Sequence, residues 1–401
     1  MKYEISTFLE NLSHFSAPGP GVTRRSFTKE SQDAWEYIIG TMESLGLDVQ
    51  TDNLGTIAGH LEGRRKESIV LGSHYDSVIQ GGKYDGAVGI AVGLAVAAYF
   101  TGKGIQPEYS LDILATNDEE GGTIGDGFLS SKHICGLLQE EKCRNEATGK
   151  SLNAYISEGW YTKNGRGRDD LRLNTAFQNV IQYIETHIEQ GGILWENQEQ
   201  IGVVKHIVGL TKLFVTIRGV SNHAGTTPMN LRKDAMVAAA KVISKIPELA
   251  RAYEGAVATV GAIYCSPNAD NVIPGEVRFA VDIRSACDED RRELVDAIAS
   301  LIQQESPVSC EIVQSLNQVA VAMAPKLVSA MERICRDAHY RYRVMNSGAG
   351  HDAQLFGLYL DTVMLFIPSQ EGISHSPQEF SRIEDMERAA QVLIDYTLSL
   401  G

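Results

Sequence analysis

The spacing of hydrophobic residues changes along the chain, and the first half alternates between helical and extended patterns. Residues 28–46 have the amphipathic period of a capped helix that ends at Gly46. The segment 86–99 is small and apolar on all sides, which predicts a helix buried against a sheet. Four segments predict strands: 56–61, 68–73, 110–116 and 180–188. This alternation predicts an α/β region with a largely parallel sheet.

From Gly209 the pattern becomes that of a separate α+β unit. Its predicted elements are strands at 213–218, 256–264, 276–284 and 308–313, a helix at 231–246 and a second helix before the last strand. After Met323 the α/β pattern returns with a helix at 325–338, a strand at 362–367 and a helix at 383–400. We therefore predict a discontinuous catalytic domain, residues 1–208 and 324–401, interrupted by a smaller domain, residues 209–323.

Composition and charge exclude several classes of function. The chain has 401 residues, of which 43% are hydrophobic and 22% charged, and no apolar run approaches the ~20 residues of a membrane span. Its net charge of -15 repels nucleic acid and anionic membrane surfaces. We therefore expect neither a nucleic-acid partner nor a membrane partner, and a small molecule as the substrate.

Cysteine usage and the first residues bear on the compartment. The six cysteines are scattered without C-x-x-C pairs, which favours free thiols in a reducing compartment over a disulfide network. The stretch MKYEISTFLENLSHF has neither a basic start nor a long apolar segment, so it is not typical of a secretory signal. We expect a cytoplasmic protein.

Histidines and carboxylates recur where predicted strands end, beginning with the glycine-rich loop GSHYDSVIQGGKYDGAVG at 72–89. The candidates are His74, Asp85, Glu119, Glu120, His187 and His375. Each alone is more typical of a structural histidine or a solvated turn. Together they provide two sets of histidine and carboxylate ligands that can share one carboxylate, which is the composition of a dinuclear site for zinc, manganese, cobalt or nickel. The mixture of nitrogen and oxygen ligands does not choose among these metals.

The Glu119-Glu120 doublet suggests a division of roles. Adjacent side chains in an extended segment point in different directions, so one carboxylate can bind metal while its neighbour faces the attacking water as a general base. Asp76 follows His74 by two residues, and we expect it to accept the second imidazole N–H and fix the tautomer of that ring.

Seven motifs, in this order along nearly the whole chain, resemble the hydantoinase/carbamoylase branch of the M20-type metallopeptidase superfamily. They are GSHYDSVIQGGKYDG (72–86), NDEEGG (117–122), ETHIEQG (185–191), SNHAGTTPM (221–229), PNADNVIPGEVRFAVDIR (267–284), SGAGHDAQ (347–354) and ISHSPQE (373–379). This branch includes N-carbamoyl-L-amino-acid hydrolases, β-ureidopropionases, and allantoate and ureidoglycolate amidohydrolases. The resemblance implies a zinc-peptidase-like catalytic domain interrupted by a lid and dimerisation domain, and hence a homodimer.

The resemblance also implies roles for individual residues. His74, Asp85 and His187 match the ligands of one divalent metal ion. Asp85, Glu120 and His375 match those of a second, with Asp85 bridging, so two ions (zinc, or manganese, cobalt or nickel) are expected per subunit. Glu119 matches the general base. A histidine at position 187 is similar to the carbamoylases, whereas peptidase relatives often carry a carboxylate there.

Four residues match substrate-binding positions of the family: Gln190, His223, Asn271 and Arg284. The resemblance implies that Arg284 holds the substrate carboxylate and that His223 polarises the scissile carbonyl as an oxyanion donor. The alternatives are a surface arginine at the end of a strand and a histidine that caps the turn at Gly225. For His351 and Asp352 a structural histidine–aspartate pair and a substrate contact are equally open, as is whether lid residues act in their own subunit or across the dimer.

These observations predict a metal-dependent amidohydrolase that cleaves the carbamoyl (ureido) C–N bond of a small carboxylate and releases ammonia and carbon dioxide. The alternatives are an allantoate or ureidoglycolate amidohydrolase, an M20-type aminoacylase or dipeptidase, and a non-catalytic binding protein, against which the intact ligand set argues. Many relatives follow Glu-Glu-Gly with Ser-Arg-Phe, whereas this chain has Gly122-Thr123-Ile124. That departure makes substrates that depend on the missing arginine and aromatic ring, allantoate among them, less favoured.

Overall fold

The computed structural model describes residues 3–125, 127–162 and 165–401. Its helices are α1 Ile5–Ser13, α2 Lys29–Ser44, α3 Ala87–Lys103, α4 Leu129–Ile134, α5 Leu152–Ser157, α6 Ile193–Glu196, α7 Ala235–Ala250, α8 Asp288–Glu305, α9 Pro325–Asp337, α10 Asp352–Phe356 and α11 Ile383–Leu398. Its strands are β1 Asp48–Thr51, β2 Ile57–Leu61, β3 Arg65–His74, β4 Tyr109–Thr116, β5 Val180–Ile188, β6 Ile201–Ile207, β7 Gly209–Arg218, β8 Asn222–His223, β9 Val257–Ser266, β10 Val272–Ile273, β11 Glu276–Ser285, β12 Ser309–Gln318, β13 Val321–Ala322, β14 Tyr342–Ser347 and β15 Asp361–Ile367.

The chain divides into two compact units. The first combines Met1–Lys205 with Ala322–Gly401, and the second is the inserted segment His206–Val321. We call them the outer unit and the inserted unit. No described helix has both the length and the apolar character needed to cross a membrane.

The outer unit is organised by a nine-stranded sheet in the order β1-β2-β4-β3-β5-β15-β6-β13, with β14 paired to β6. Strands β4, β3, β5 and β15 pair in parallel, and antiparallel pairs flank them on both sides. The predicted fold class, a mixed and mostly parallel sheet interrupted by a smaller domain, is therefore confirmed. Because the central strands are parallel, their carboxyl ends, and the loops that follow them, lie at one edge of the sheet.

Helix α3 packs closely against this sheet because it is rich in alanine and glycine, which have the smallest side chains. Most of its residues are buried, as the all-round apolar pattern predicts. A Cβ atom on Gly89 would lie 2.5 Å from Ser73 and from the carbonyl of Thr186, so only glycine permits this approach to β3 and β5. Gly86 precedes the helix with φ 63 and lies against the His74 ring. The close packing fixes the start of α3 beside the ends of these strands.

The inserted unit is a four-stranded antiparallel sheet, ordered β12-β7-β11-β9, with a core that it shares with α7 and α8. Helix α7 begins at Ala235, four residues later than predicted, because the Asp234 side chain caps it and residues Met229–Leu231 form a separate 3-10 turn. A short pair, β8 with β10, places Val272 opposite His223. That pairing brings the loops that carry His223 and Asn271 together.

Candidate active site

Six predicted ligand and base residues meet at one edge of the outer unit's sheet. His74 is the last residue of β3, Asp85 precedes α3, Glu119 and Glu120 follow β4, His187 lies near the end of β5, and His375 lies in the loop before α11. The sheet topology therefore assembles side chains that are as much as 301 residues apart in sequence (375 − 74).

The Asp85 carboxylate lies in the middle of the cluster. Its Oδ1 atom is 3.6 Å from Nε2 of His74 and 3.1 Å from Nε2 of His187. Its Oδ2 atom is 3.2 Å from Nε2 of His375, which is also 3.2 Å from Oε1 of Glu120. Asp85 thus faces one pair of ligands with each oxygen, as a bridging carboxylate would.

The donor atoms fit a divalent cation. In His74–Asp85–His187 and in Asp85–Glu120–His375, one candidate ligand atom per residue lies within 4.8 Å of the others. Asp85 Oδ1 is buried, and none of the described residues gives it a hydrogen bond. A buried carboxylate oxygen without a donor is costly unless a cation compensates it, and imidazole nitrogen with carboxylate oxygen suits zinc, manganese, cobalt and nickel.

The charges of the cluster are strongly coupled. Burial alone would raise the pKa of Asp85, but His187, His375 and His74 outweigh it and hold that pKa well below its usual value. Burial would lower the pKa of His74 and of His187, yet the surrounding carboxylates raise both. Hydrogen bonds to Asp85 and Glu120 raise the pKa of His375 to about 10. A divalent cation bound in the cluster would compete with protons for these imidazole nitrogens.

The glutamate doublet is held by Asp76. Its carboxylate accepts hydrogen bonds from the backbone N–H of Glu119, at 3.1 Å, and of Glu120, at 3.2 Å. The expected hydrogen bond from His74 to this carboxylate is replaced, because His74 Nδ1 lies 3.2 Å from the Asp76 backbone carbonyl and 3.6 Å from the carboxylate. Asp76 therefore orients the doublet with its side chain and His74 with its main chain.

The two glutamates face different partners. Glu120 approaches His375, whereas Oε2 of Glu119 lies 3.8 Å from Nε2 of His74. Burial raises the pKa of Glu119 well above its usual value. His74, Glu119 and Glu120 also each place one candidate ligand atom within 4.8 Å of the others, so the division of roles between the two glutamates stays a prediction.

Of the predicted substrate residues, Gln190 lies beside the cluster of candidate metal ligands. Its backbone has φ 57, and its Nε2 atom donates to Asp85 Oδ2 at 2.9 Å and lies 3.3 Å from Nε2 of His375. Its Oε1 atom is buried and accepts no hydrogen bond from the described residues. The amide nitrogen of Gln190 therefore contacts the cluster, whereas the amide oxygen remains available as a hydrogen-bond acceptor.

The other three predicted substrate residues belong to the inserted unit. His223 and Asn271 are exposed, and the backbone of Ala224 donates to the Asn271 carbonyl at 3.0 Å. His223 Nδ1 accepts a hydrogen bond from the backbone of Gly225 at 3.0 Å, as in the turn-capping alternative. Arg284 donates two hydrogen bonds to the Asp282 carboxylate, at 2.8 and 3.1 Å.

Comparison with known proteins agrees with this arrangement. The model of peptidase family M20/M25/M40 matches residues 70–399. The chain belongs to this family. It is 35% identical over 403 residues to the N-carbamoyl-L-amino-acid amidohydrolase of Paenarthrobacter aurescens, an alignment that covers 97% of this chain and 96% of the relative. It is also 35% identical over 400 residues to the allantoate amidohydrolase of Escherichia coli (strain K12), with 97% and 95% covered.

A solved structure places the chain within a branch of the M20/M25/M40 family. The crystal structure of an amidase of the hydantoinase/carbamoylase family from Burkholderia multivorans superposes with a TM-score of 0.89 and 29% identity, over 99% of this chain and 98% of the other. The recognised resemblance to the hydantoinase/carbamoylase branch is confirmed, and this M20 protein is an amidohydrolase of that branch with clusters of histidine and carboxylate side chains suited to divalent metal ions.

Two supporting residues of this M20 site were missed by the sequence reasoning. Glu379 Oε1 accepts hydrogen bonds from the backbone of Tyr84 and of Asp85, both at 3.0 Å. The Ser374 hydroxyl lies within hydrogen-bond distance of the carboxylates of Asp85 and Glu379. Burial raises the pKa of Glu379 to about 7. Both residues lie within the quoted motif ISHSPQE, so the available signal was their closeness to His375, but their contact with Asp85 depends on the tertiary fold.

His351 and Asp352 bind separate partners. His351 Nε2 lies 2.9 Å from the Ser347 hydroxyl, and its ring packs edge-on against that of His187 with centroids 4.5 Å apart. Asp352 is fully buried and accepts hydrogen bonds from the hydroxyls of Ser131 and Thr116. Each of the two side chains thus has structural partners of its own.

Replacing Asp76 should weaken metal binding. In Asp76→Asn the amide keeps one acceptor oxygen for two N–H donors, so the backbone of Glu119 and Glu120 loses part of its anchor. We expect affinity for Zn²⁺ or Mn²⁺ to fall by roughly 10- to 100-fold, the usual effect of losing support for metal ligands, as measured by isothermal titration calorimetry. Asp33→Asn on α2 is the matched control, and unchanged affinity in Asp76→Asn would refute this role.

Proposed function

We propose that this protein hydrolyses the carbamoyl C–N bond of an N-carbamoyl amino acid or a related ureido carboxylate, with two divalent cations held on either side of Asp85. The observation that carries the proposal is the position of Asp85, whose two oxygens each face a separate pair of ligands. The names of the relatives support the reaction class, because they include N-carbamoyl-amino-acid and allantoate amidohydrolases.

The proposed ligands are His74 and His187 on one side of Asp85 and Glu120 and His375 on the other. Bound there, the cations would polarise the ureido carbonyl and lower the pKa of water toward ~7. Glu119 is the proposed general base, because it lies in the cluster while its neighbour Glu120 approaches His375. It would take a proton from the attacking water and return it to the departing nitrogen.

The hydrogen bonds of His223 support its proposed role as an oxyanion donor. Its Nδ1 atom accepts the N–H of Gly225, so in the neutral ring the proton lies on Nε2. An Nε2–H group directed at the carbonyl oxygen can stabilise the negative charge that develops during water attack. The turn contact thus fixes the tautomer that the chemistry needs.

Three further residues are proposed to bind the substrate. Gln190 has an unused Oε1 acceptor for an N–H of the ureido group. Asn271 and Arg284 are proposed to bind the carboxylate, with Asp282 orienting the guanidinium of Arg284. By the same resemblance we propose that the inserted unit is a lid and dimerisation domain of a homodimer. The free thiols are consistent with the proposed cytoplasmic compartment.

Two other substrate classes remain as alternatives within the family. Allantoate or ureidoglycolate would use the same chemistry on a ureido group, and the allantoate amidohydrolase of Escherichia coli favours keeping the first. Aminoacylase or dipeptidase activity is the other alternative, and His187 as the third ligand argues for the carbamoylase reaction.

Metal-loaded protein should release ammonia from N-carbamoyl amino acids faster than it hydrolyses dipeptides or N-acetyl amino acids. The screen should include N-carbamoyl-α-amino acids, N-carbamoyl-β-alanine, allantoate and ureidoglycolate, each with Zn²⁺, Mn²⁺, Co²⁺ and Ni²⁺. Ammonia release is measured for the ureido substrates, and free amino acid for the others. A higher kcat/KM for the dipeptides would overturn the proposal in favour of a peptidase.

The variants Glu119→Gln and Glu120→Gln separate the base from the ligand. Glu119→Gln should keep near-normal metal affinity and lose about 10³-fold or more in kcat, because it removes only the proton acceptor. Glu120→Gln should weaken metal binding, because it removes a charged ligand. Calorimetry and ammonia release on both proteins test this, and full activity in Glu119→Gln would show that another group is the base.

A further inference from the structure

Arg25 lies across the loop that carries the catalytic glutamates. Its guanidinium donates a short hydrogen bond to the backbone carbonyl of Gly122, two residues after Glu120. A Cβ atom on Gly122 would lie 3.7 Å from both Cγ and Nε of Arg25, so the arginine stem runs along this glycine.

The backbone around Arg25 is held firmly. The backbone of Arg24 exchanges hydrogen bonds with Ser77, at 2.9 and 3.1 Å, and the Thr28 hydroxyl donates to the Arg25 carbonyl at 2.7 Å. The carbonyl of Ser26 accepts from the Thr123 hydroxyl at 3.0 Å. Arg25 is therefore positioned by contacts to the loops after β3 and after β4, the same loops that carry the cluster.

The charge of Arg25 is unused. Its Nε atom is buried without a hydrogen-bond partner, and no carboxylate forms an ion pair with it in the part of the chain that the structure describes. The adjacent Arg24 is the contrast, since it is buried and donates to the carbonyls of Tyr75, Leu12 and Phe15. Arg24 is a structural arginine, whereas Arg25 is half-buried, donates to the Gly122 carbonyl and has no carboxylate partner among the described residues, in a chain of net charge -15.

We infer that Arg25 binds a second anionic group of the substrate, so that the preferred substrate is a ureido dicarboxylate. The inference rests on the proposed function, in which the substrate is a ureido carboxylate whose α-carboxylate has binding residues of its own. Arg25 has no carboxylate partner of its own among the described residues, so its charge is available to an anionic group of the substrate. The guanidinium fork pairs best with a planar carboxylate, which identifies the second group as a side-chain carboxylate.

The test compares isosteric substrates that differ only in charge. N-carbamoyl-L-glutamate and N-carbamoyl-L-glutamine form one pair, and N-carbamoyl-L-aspartate and N-carbamoyl-L-asparagine the other. The metal-loaded wild type should prefer the acid of each pair. In Arg25→Met the ratio of kcat/KM for acid over amide should fall about 100-fold, because a charge-assisted bidentate pair is lost. The matched control Arg64→Met, at an exposed arginine, should keep the wild-type ratio.

Two additions keep the test decisive. Arg25→Gln retains a donor for the Gly122 carbonyl without the charge, and it should lose the same ratio even where Arg25→Met is unstable. In a Glu119→Gln background, calorimetry should show that Arg25→Gln weakens binding of N-carbamoyl-L-glutamate more than binding of N-carbamoyl-L-glutamine.

The outcomes distinguish this inference from the proposed function. An unchanged ratio in the Arg25 variants, or an equal loss for acid and amide, overturns the inference while leaving the carbamoylase proposal intact. If wild type releases ammonia from other ureido substrates but from none of these four, the inference is overturned, whereas absence of ammonia release from every ureido substrate of the screen overturns the proposed function. In that case, charge-dependent binding in the Glu119→Gln background still supports Arg25 as the anion contact.

Discussion

The site depends on one buried carboxylate shared among three imidazoles. Candidate metal ligands lie on both sides of Asp85, and its Oδ1 atom has no hydrogen-bond donor among the described residues. Such an oxygen is stable in the protein interior only where positive charge compensates it. The surrounding structure fixes this carboxylate through Gly86, the closely packed α3 and the Glu379 contact to its backbone.

The parallel strands explain why distant residues meet. β3, β4, β5 and β15 end at one edge of the sheet, and the ligands occupy those ends or the loops beyond them. Asp76 then links two loops, since its backbone carbonyl contacts His74 and its carboxylate binds the glutamate doublet. Within the inserted unit, His223 and Asn271 are exposed and Arg284 pairs with Asp282.

Local pattern predicts the elements well where burial determines them. The all-apolar segment at 86–99 is the buried α3, and the strands predicted at 213–218, 256–264, 276–284 and 308–313 lie in the antiparallel sheet. The predicted start of α7 at Leu231 is wrong. Leu231 extends the apolar pattern, but the Asp234 cap determines where the helix begins. Periodicity reports which face is buried but does not locate a cap.

The sequence motifs identify the candidate ligands, but they do not predict which residues hold those ligands in place. Glu379 binds the backbone of Asp85 across 294 residues of sequence, and Arg25 reaches Gly122 across 97. Contacts between residues so far apart leave no local pattern in the sequence, because they depend on how the loops cross at the edge of the sheet. For the same reason the acceptor for His74 was predicted as the Asp76 side chain, whereas loop geometry selects its carbonyl.

The most direct test of the shared carboxylate is anomalous diffraction from crystals soaked in Zn²⁺ or Mn²⁺. The account predicts two anomalous peaks, one on each side of Asp85, with His74 and His187 at the first and Glu120 and His375 at the second. Peaks located elsewhere, or crystals in which these five side chains hold no ion, would contradict it.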